Sequence, residues 1–329
     1  MRIVQFLHGN EIGGMEKFCI DLSNALSHEH DVLLLADKTF KKYIDKNVQF
    51  VELDIEKSRN NIFFLWKIWK ILKAFSPDII QAHKQNTINI LKRLEPFLKI
   101  PFVATKQDMQ IKKAFHGLRY AITITEETRS TIKAEHIYKI YNGVPFHEPK
   151  KIILPDGFNI VAVGGLRKVK GYDKLLHIVA NLDFNYHLTI LGEGSEREHL
   201  EALIDTLHLK EKVTLAGFKS NINDYLYSAD LQVITSLSEG FSLAMVEGLF
   251  YSKVLLSTKV SGCTEILSEA LLADIEAFNV KIKMIFENYD AYEVEFMKVK
   301  NKYSKRLTME ACKDEHVKVY REILKDYNA

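Results

Sequence analysis

Residues 158–182, FNIVAVGGLRKVKGYDKLLHIVANL, decide the fold. The first six, FNIVAV, are apolar at almost every position, as a strand covered on both faces requires. Gly164 and Gly165 then turn the chain. From Tyr172 onward Leu175, Leu176 and Val179 recur at helical spacing. A buried strand, a glycine turn and an amphipathic helix make half of a βαβ unit. The turn also carries Arg167, Lys168 and Lys170 where the helix begins, and helix N-termini attract phosphate through unpaired amides and the helix dipole. One such turn is weak evidence, so its weight depends on repetition.

The unit repeats along the chain. Upstream, MRIVQFLHG (1–9), HDVLLLAD (30–37), VQFVELDI (48–55), DIIQAH (78–83), PFVATKQD (101–108), YAITITEE (120–127) and IYKIYNGV (137–144) read as strands. GGMEKFCIDLSNALSH (13–28) and FFLWKIWKILKAF (63–75) read as helices among them. Downstream, HLTILGEG (187–194), VTLAGF (213–218), LQVITS (231–236) and KVLLST (253–258) alternate with helical SEREHLEALIDTL (195–207) and NINDYLYSA (221–229). The final helical stretch runs roughly from Met309 to Tyr327. Continuous apolar strands between amphipathic helices imply parallel sheets covered on both faces. The stretch 142–157, NGVPFHEPKKIILPDG, holds three of the six prolines and reads as an interdomain linker. The expected architecture is α/β: an N-terminal Rossmann-like domain at 1–147, a second at 148–310, and a terminal helix at 311–329 that crosses back to the first. Ligands of such sheets sit beyond the strand C-termini, here in a cleft that both sheets face.

Bulk properties fit a globular two-domain chain of 329 residues, 47% hydrophobic and 27% charged. Cys19, Cys263 and Cys312 are odd in number and lack metal-ligand spacing, which points to buried thiols in a reducing compartment. The start reads as a strand rather than a signal peptide, and no apolar run reaches the ~20 residues of a membrane span. The expected location is cytoplasmic, on or near the inner face of the membrane. Residues 1–150 hold 23 Lys and Arg against 17 Asp and Glu, and residues 151–329 hold 22 against 26. The basic first half suits an anionic acceptor or lipid surface. No basic–aromatic platform or reader motif points to nucleic acid.

A second stretch carries the chemistry. SEGFSLAMVEG (238–248) sets Glu239 and Glu247 eight residues apart around a turn that runs into an apolar helix. Two carboxylates there, with Gly240 directly after the first, suggest a polyhydroxylated ligand held at a helix N-terminus. The bland alternative is a cap followed by a solvated helix residue. Lys168 reads as part of a solvated basic turn, whereas Lys170, beside Gly171 at the helix start, reads as a phosphate ligand.

Taken in order, GG-x-E at Gly13–Glu16, NGV before the linker, VGG-L-x-x-x-KG after it, LGEG-x-E and SEGFSLAMVEG resemble the GT-B glycosyltransferases, more narrowly the retaining family 4 (glycosyl transferases group 1). The resemblance covers nearly the whole chain and is strongest from Ile160 to Glu265. It implies transfer of a hexose from a nucleotide sugar, most simply UDP-linked, to a glycan or lipid-linked saccharide of the cell surface such as lipopolysaccharide or capsule. By position, Lys170 and Arg167 would hold the diphosphate, Glu239 the donor sugar and Glu247 the ribose. Gly165, Gly192 and the backbone of Gly240, Phe241, Ser242 and Leu243 would complete the donor site. Gly13 and Gly14 would close over the phosphates. Gln107 stands where many relatives carry a catalytic histidine. His8, Glu16, His83 and Lys106 are candidates for acceptor or sugar contact.

Three departures accompany the resemblance. Gly165 occupies the position of a usual phosphate-binding arginine, a loss of ~1.5–3 kcal/mol if Arg167 does not compensate. Gln107 cannot share a proton at neutral pH. After SGCTEI the usual glycine turn and strand give way to LSEALLADIEAFNV, so a trimmed second domain is expected. No Asp-x-Asp pair occurs, and metal independence is expected. The helix FFLWKIWKILKAF reads as packed on the first sheet, with a membrane-surface role as the alternative. Two rival functions stay open: a sugar-nucleotide epimerase on the same fold, and a non-catalytic sugar-nucleotide-binding subunit.

Overall fold

The computed structural model describes residues 1–9, 13–53 and 61–329. It divides into two compact units, Met1–Pro145 with Leu307–Ala329, and Phe146–Arg306. The third to fifth residues of HGNEIGG (10–12) and the end of VQFVELDI (54–55) lie outside the described residues.

In the first unit, seven strands form one parallel sheet: β1 (Arg2–Leu7), β2 (Asp31–Ala36), β3 (Gln49–Glu52), β4 (Ile79–His83), β5 (Phe102–Lys106), β6 (His116–Thr123) and β7 (Lys133–Lys139). Their order is β3-β2-β1-β4-β5-β6-β7, so the direction of winding reverses between β1 and β4. Helices Gly14–Leu26 and Met309–Tyr327 cover one face, and helices Ile62–Phe75 and Gln85–Leu98 the other. The strands are buried on both faces, which explains their unbroken apolar runs.

The chain returns to this unit beside the point where it left. Met309 donates its amide to the carbonyl of Val144, and Val144 donates to Leu307. A buried polar network then fixes the last helix. His83 Nε2 donates to Gln5 Oε1 (2.6 Å), and Gln5 Nε2 donates to Gln81 Oε1 and to the hydroxyl of Tyr320, each at 3.1 Å. Gln81 donates on to Thr105 Oγ1 at 2.6 Å. Buried polar networks of this kind favour one docking register, because a slip would leave further buried polar groups unpaired.

In the second unit, β8 (Phe158–Val163), β9 (Tyr186–Leu191), β10 (Val213–Gly217), β11 (Leu231–Ile234), β12 (Leu255–Thr258) and β13 (Leu272–Ala273) form a parallel sheet ordered β10-β9-β8-β11-β12-β13. The winding reverses between β8 and β11. The expectation of a trimmed second domain is corrected here. Leu272 and Ala273 supply a short sixth strand beside β12, led in by a turn at Glu269–Leu271. Two residues carry too little pattern to announce a strand. The unit closes with helices Phe278–Glu287 and Tyr289–Tyr303.

Candidate active site

The strand order reverses between β8 and β11, and open α/β sheets bind ligands beyond the strand C-termini at such a reversal. Lys170 arrives there from the turn after β8, and Glu239 from the loop after β11. Lys170 Nζ bonds Glu239 Oε1, and Ser236 Oγ donates to the same oxygen at 2.7 Å. Both protein bonds converge on Oε1, which leaves Oε2 without a partner among the described residues. The two loops are also tied through the backbone: Leu237 donates to the carbonyl of Val169 (2.8 Å), and Thr235 Oγ1 donates to that of Lys170 (2.9 Å).

Glycines make this approach feasible. Gly171 has φ 65°, and a Cβ there would collide with the carbonyl of Thr235. Gly192, at φ 146°, lets the end of β9 pass against the carbonyl of Gly164. Gly165 is different, because a Cβ at that position meets Arg167 Nε and the carbonyl of Glu193 only at 3.5 Å, ordinary van der Waals contact. The backbone does not require glycine at 165.

Helix Leu243–Tyr251 starts beside the pair. Ser242 caps it, its buried Oγ accepting from the amide of Met245. The Phe241 ring is buried and packs on Gly262. Gly240, Leu243 and Glu247 are half-buried, with Glu247 one turn into the helix. Arg167 is exposed at the mouth of the turn.

Sequence reasoning passed over Ser236 and Tyr172, and read Cys263 only as a buried thiol, which it is. The Tyr172 hydroxyl donates to the carbonyl of Gly164 (3.3 Å), and burial, then the charge of Glu239, pushes its ionisation well above the ordinary range. Burial holds the Cys263 thiol up at about 12, which makes it inert. Ser236 was legible as the serine three residues before Glu239. Nothing local marks Tyr172.

The first-unit candidates fare differently. Gln107 follows β5, half-buried, with Nε2 buried and lacking a hydrogen-bond partner among the described residues. His8 is half-buried after β1, its Nδ1 3.4 Å from Asn86 Nδ2. Gly13 caps helix Gly14–Leu26, and its amide donates to Glu16 Oε2 at 3.0 Å. Three acceptor candidates are corrected. His83 is fully buried among Gln5, Phe18 and His316, and burial lowers its pKa to about 3. Lys106 is fully buried, its Nζ paired with Asp108. Glu16 is buried, holding Gly13 with one oxygen and Lys84 with the other. These side chains serve the fold, and the sequence could not tell strand-end histidines and lysines that point inward from those that point outward.

Among the described residues, no group of three or more His, Cys, Asp or Glu is placed to hold a metal ion, and no helix is long and apolar enough to cross a membrane.

Comparison with known proteins identifies the family. The model of the glycosyl transferases group 1 matches residues 145–294, and that of glycosyltransferase family 4 matches residues 12–148. An N-acetylgalactosamine-N,N'-diacetylbacillosaminyl-diphospho-undecaprenol 4-alpha-N-acetylgalactosaminyltransferase of Campylobacter jejuni is 33% identical over 97% of each chain. The lipopolysaccharide core biosynthesis glycosyltransferase LpsD of Rhizobium meliloti is 25% identical, covering 83% of this chain and 84% of its own. Among solved structures, Anabaena Alr3699/HepE in complex with UDP superposes with a TM-score of 0.82 at 18% identity, over 98% of this chain and 100% of that one.

Proposed function

Because the chain belongs to the GT-B glycosyltransferases of family 4, we propose that it transfers a hexose from a UDP-sugar to a lipid-linked saccharide, with retention of configuration and without a metal ion. The observation that carries the reading is the Lys170–Glu239 pair at the strand-order reversal, beside the start of helix Leu243–Tyr251. The Campylobacter jejuni relative, whose name specifies a diphospho-undecaprenol-linked acceptor, supports the acceptor class, and the UDP complex of a protein of the same fold supports the nucleotide.

The expected chemistry follows from charge. Departure of the nucleotide diphosphate builds negative charge as the sugar becomes oxocarbenium-like. Lys170, Arg167 and the amides at residues 240–242 stabilise that charge in place of a metal. Glu239 Oε2 accepts from donor-sugar hydroxyls, while Oε1 stays anchored by Ser236 and Lys170. Glu247 accepts from the ribose hydroxyls.

The test is UDP release from UDP-hexoses and UDP-N-acetylhexosamines in EDTA, with a polyprenyl-diphosphate-linked saccharide as acceptor and the product anomer read by NMR. Acceptor-dependent release with an α-linked product from an α-linked donor supports the reading. A strict metal requirement or an inverted product contradicts it. Donor binding with no turnover on any acceptor would favour the non-catalytic subunit, the reading that Gly165 suits.

A further inference from the structure

Two residues leave strand β11 side by side, and each holds a different member of the Lys170–Glu239 pair. Thr235 and Ser236 are 1% and 3% exposed. Thr235 Oγ1 donates to the backbone carbonyl of Lys170 at 2.9 Å, and Ser236 Oγ donates to Glu239 Oε1 at 2.7 Å. Successive side chains leaving a strand point to opposite sides, so neighbours in sequence reach separate groups. Both residues are themselves held. The carbonyl of Thr235 is pressed against Gly171 at the start of helix Tyr172–Ala180, where a Cβ would stand 2.3 Å from its oxygen. Thr258 Oγ1, at the end of β12, donates to the carbonyl of Ser236 at 2.6 Å. Buried hydroxyls commonly bond their own local backbone, as Ser23 and Thr87 do on helices of the first unit. Those of Thr235 and Ser236 are directed instead at the turn and the loop that carry the charged pair.

We propose that Thr235 and Ser236 are positioning residues that divide the donor between them. Thr235 fixes the turn that aims Lys170 at the diphosphate, and Ser236 fixes the carboxylate that faces the sugar. The division rests on the donor-site reading of the Lys170–Glu239 pair. Ser236 has a second consequence. When the diphosphate draws the Lys170 ammonium, Glu239 Oε1 keeps the Ser236 hydroxyl as a donor. A carboxylate whose side chain is only 13% exposed is then not left bare on that side. Without the hydroxyl, Lys170 is the one donor on Oε1 among the described residues, the carboxylate turns with it, and Oε2 loses its fixed direction toward the sugar. Small displacements of a group that meets the reacting sugar lower the rate steeply. Loss of the Thr235 hydroxyl acts on the other half, because the Lys170 carbonyl loses an anchor while Glu239 keeps its bonds. The nucleotide half of the donor therefore responds to Thr235 and the sugar half to Ser236.

The experiment compares Thr235→Val and Ser236→Ala with the wild type in two readouts. One is UDP affinity by titration calorimetry, and the other is kcat/KM with whichever UDP-hexose or UDP-N-acetylhexosamine the wild type turns over. Ser236→Ala is expected to lower kcat/KM about tenfold to a hundredfold, through a lost hydrogen bond to a charged group, and to leave UDP affinity within about twofold. Thr235→Val is expected to weaken UDP binding about threefold to tenfold, since the bond from Leu237 to Val169 still ties the two loops. A double-mutant cycle separates positioning from a general loss of structure. In a Glu239→Ala background, adding Ser236→Ala should change the residual UDP release by less than about twofold, because the group that Ser236 positions is gone. Ser236→Ala that lowers UDP affinity and kcat/KM alike, or that lowers activity as much with Glu239→Ala as without it, would overturn the proposal. Wild-type UDP affinity in Thr235→Val would do the same. A wild type that turns over no UDP-sugar would overturn the donor reading and this proposal with it. Turnover in the wild type with both variants unchanged would overturn this proposal alone.

Discussion

Each sheet places a lysine–glutamate pair at the point where its winding reverses: Lys84–Glu16 in the first unit and Lys170–Glu239 in the second. Burial hardly separates them. The side chains of Lys84 and Glu16 are 29% and 7% exposed, and those of Lys170 and Glu239 are 16% and 13%. What differs is where the hydrogen bonds go. Glu16 uses one oxygen on Lys84 and the other on the amide of Gly13, so both arms secure the start of helix Gly14–Leu26. Lys84 accepts a backbone φ of 80° to reach its partner, a conformation that costs about 1–3 kcal/mol in a residue with a Cβ. Glu239 takes both Lys170 and Ser236 on a single oxygen. A carboxylate with both oxygens engaged is a brace. One held by a single oxygen is positioned and still able to bind.

The comparison is sharpened first at Lys170. Lys170→Ala should lower turnover of the UDP-sugar by about a hundredfold to a thousandfold, the usual effect of removing a preorganised stabiliser of developing charge. Its melting temperature should stay close to that of the wild type. An activity loss under about fivefold would return Lys170 to the class of solvated lysines.

Next in size is Glu247→Ala, expected to weaken UDP binding by about tenfold to a hundredfold through lost charged hydrogen bonds to the ribose. Titration calorimetry reads this directly, and unchanged affinity would remove Glu247 from the donor site. Gly165→Arg runs in the opposite sense. The backbone leaves room for a side chain, so the variant should fold and raise kcat/KM by up to about tenfold, by restoring a cation beside the diphosphate. No gain would mean that Arg167 already fills that role.

The brace has its own prediction. Glu16→Gln should cost about 1–3 kcal/mol, because Lys84 loses its counter-charge near a buried position, and the melting temperature should fall by several degrees. UDP affinity should change far less than in Lys170→Ala.

A slower dependence comes from the buried histidines of the first unit. Burial holds His83 at about 3 and His316 at about 4, against 6.5 for an ordinary histidine. Below pH 6.5 the unfolded chain takes up these protons and the folded chain does not. Stability therefore declines as pH falls from 6.5 toward about 3, by at most about 1.4 kcal/mol per pH unit for each histidine. His83→Gln should flatten that slope in urea titrations at pH 7 and 5.

The strand ladders were legible because parallel strands buried on both faces read as continuous apolar runs, as in HDVLLLAD and FNIVAVGG. The Lys170–Glu239 pair was legible as two candidates, one from each motif, since the KG turn and the SEG turn each announce a helix start. Their contact was not, because 69 residues separate them and only the strand order brings the two turns together. Helix Tyr289–Tyr303 escaped notice for a related reason. It buries only Phe296 and Val299, so its sequence, YDAYEVEFMKVKNKY, carries almost no apolar stripe. The helix FFLWKIWKILKAF was ambiguous between sheet packing and a membrane surface, and the structure shows Phe64, Ile68, Leu72 and Phe75 buried on one face and Ile62, Phe63 and Trp66 exposed on the other. His83, Lys106 and Glu16 were misread because a polar residue at a strand end or helix start carries no mark of which way it points.

The most direct test is thermal stabilisation by UDP in the wild type, Lys170→Ala and Lys84→Ala, each with and without EDTA. The expected result is a shift in the wild type and in Lys84→Ala that is insensitive to EDTA, and little or no shift in Lys170→Ala. A shift retained in Lys170→Ala but lost in Lys84→Ala would contradict the account, for it would make the first unit's pair the binding one and the second unit's the brace.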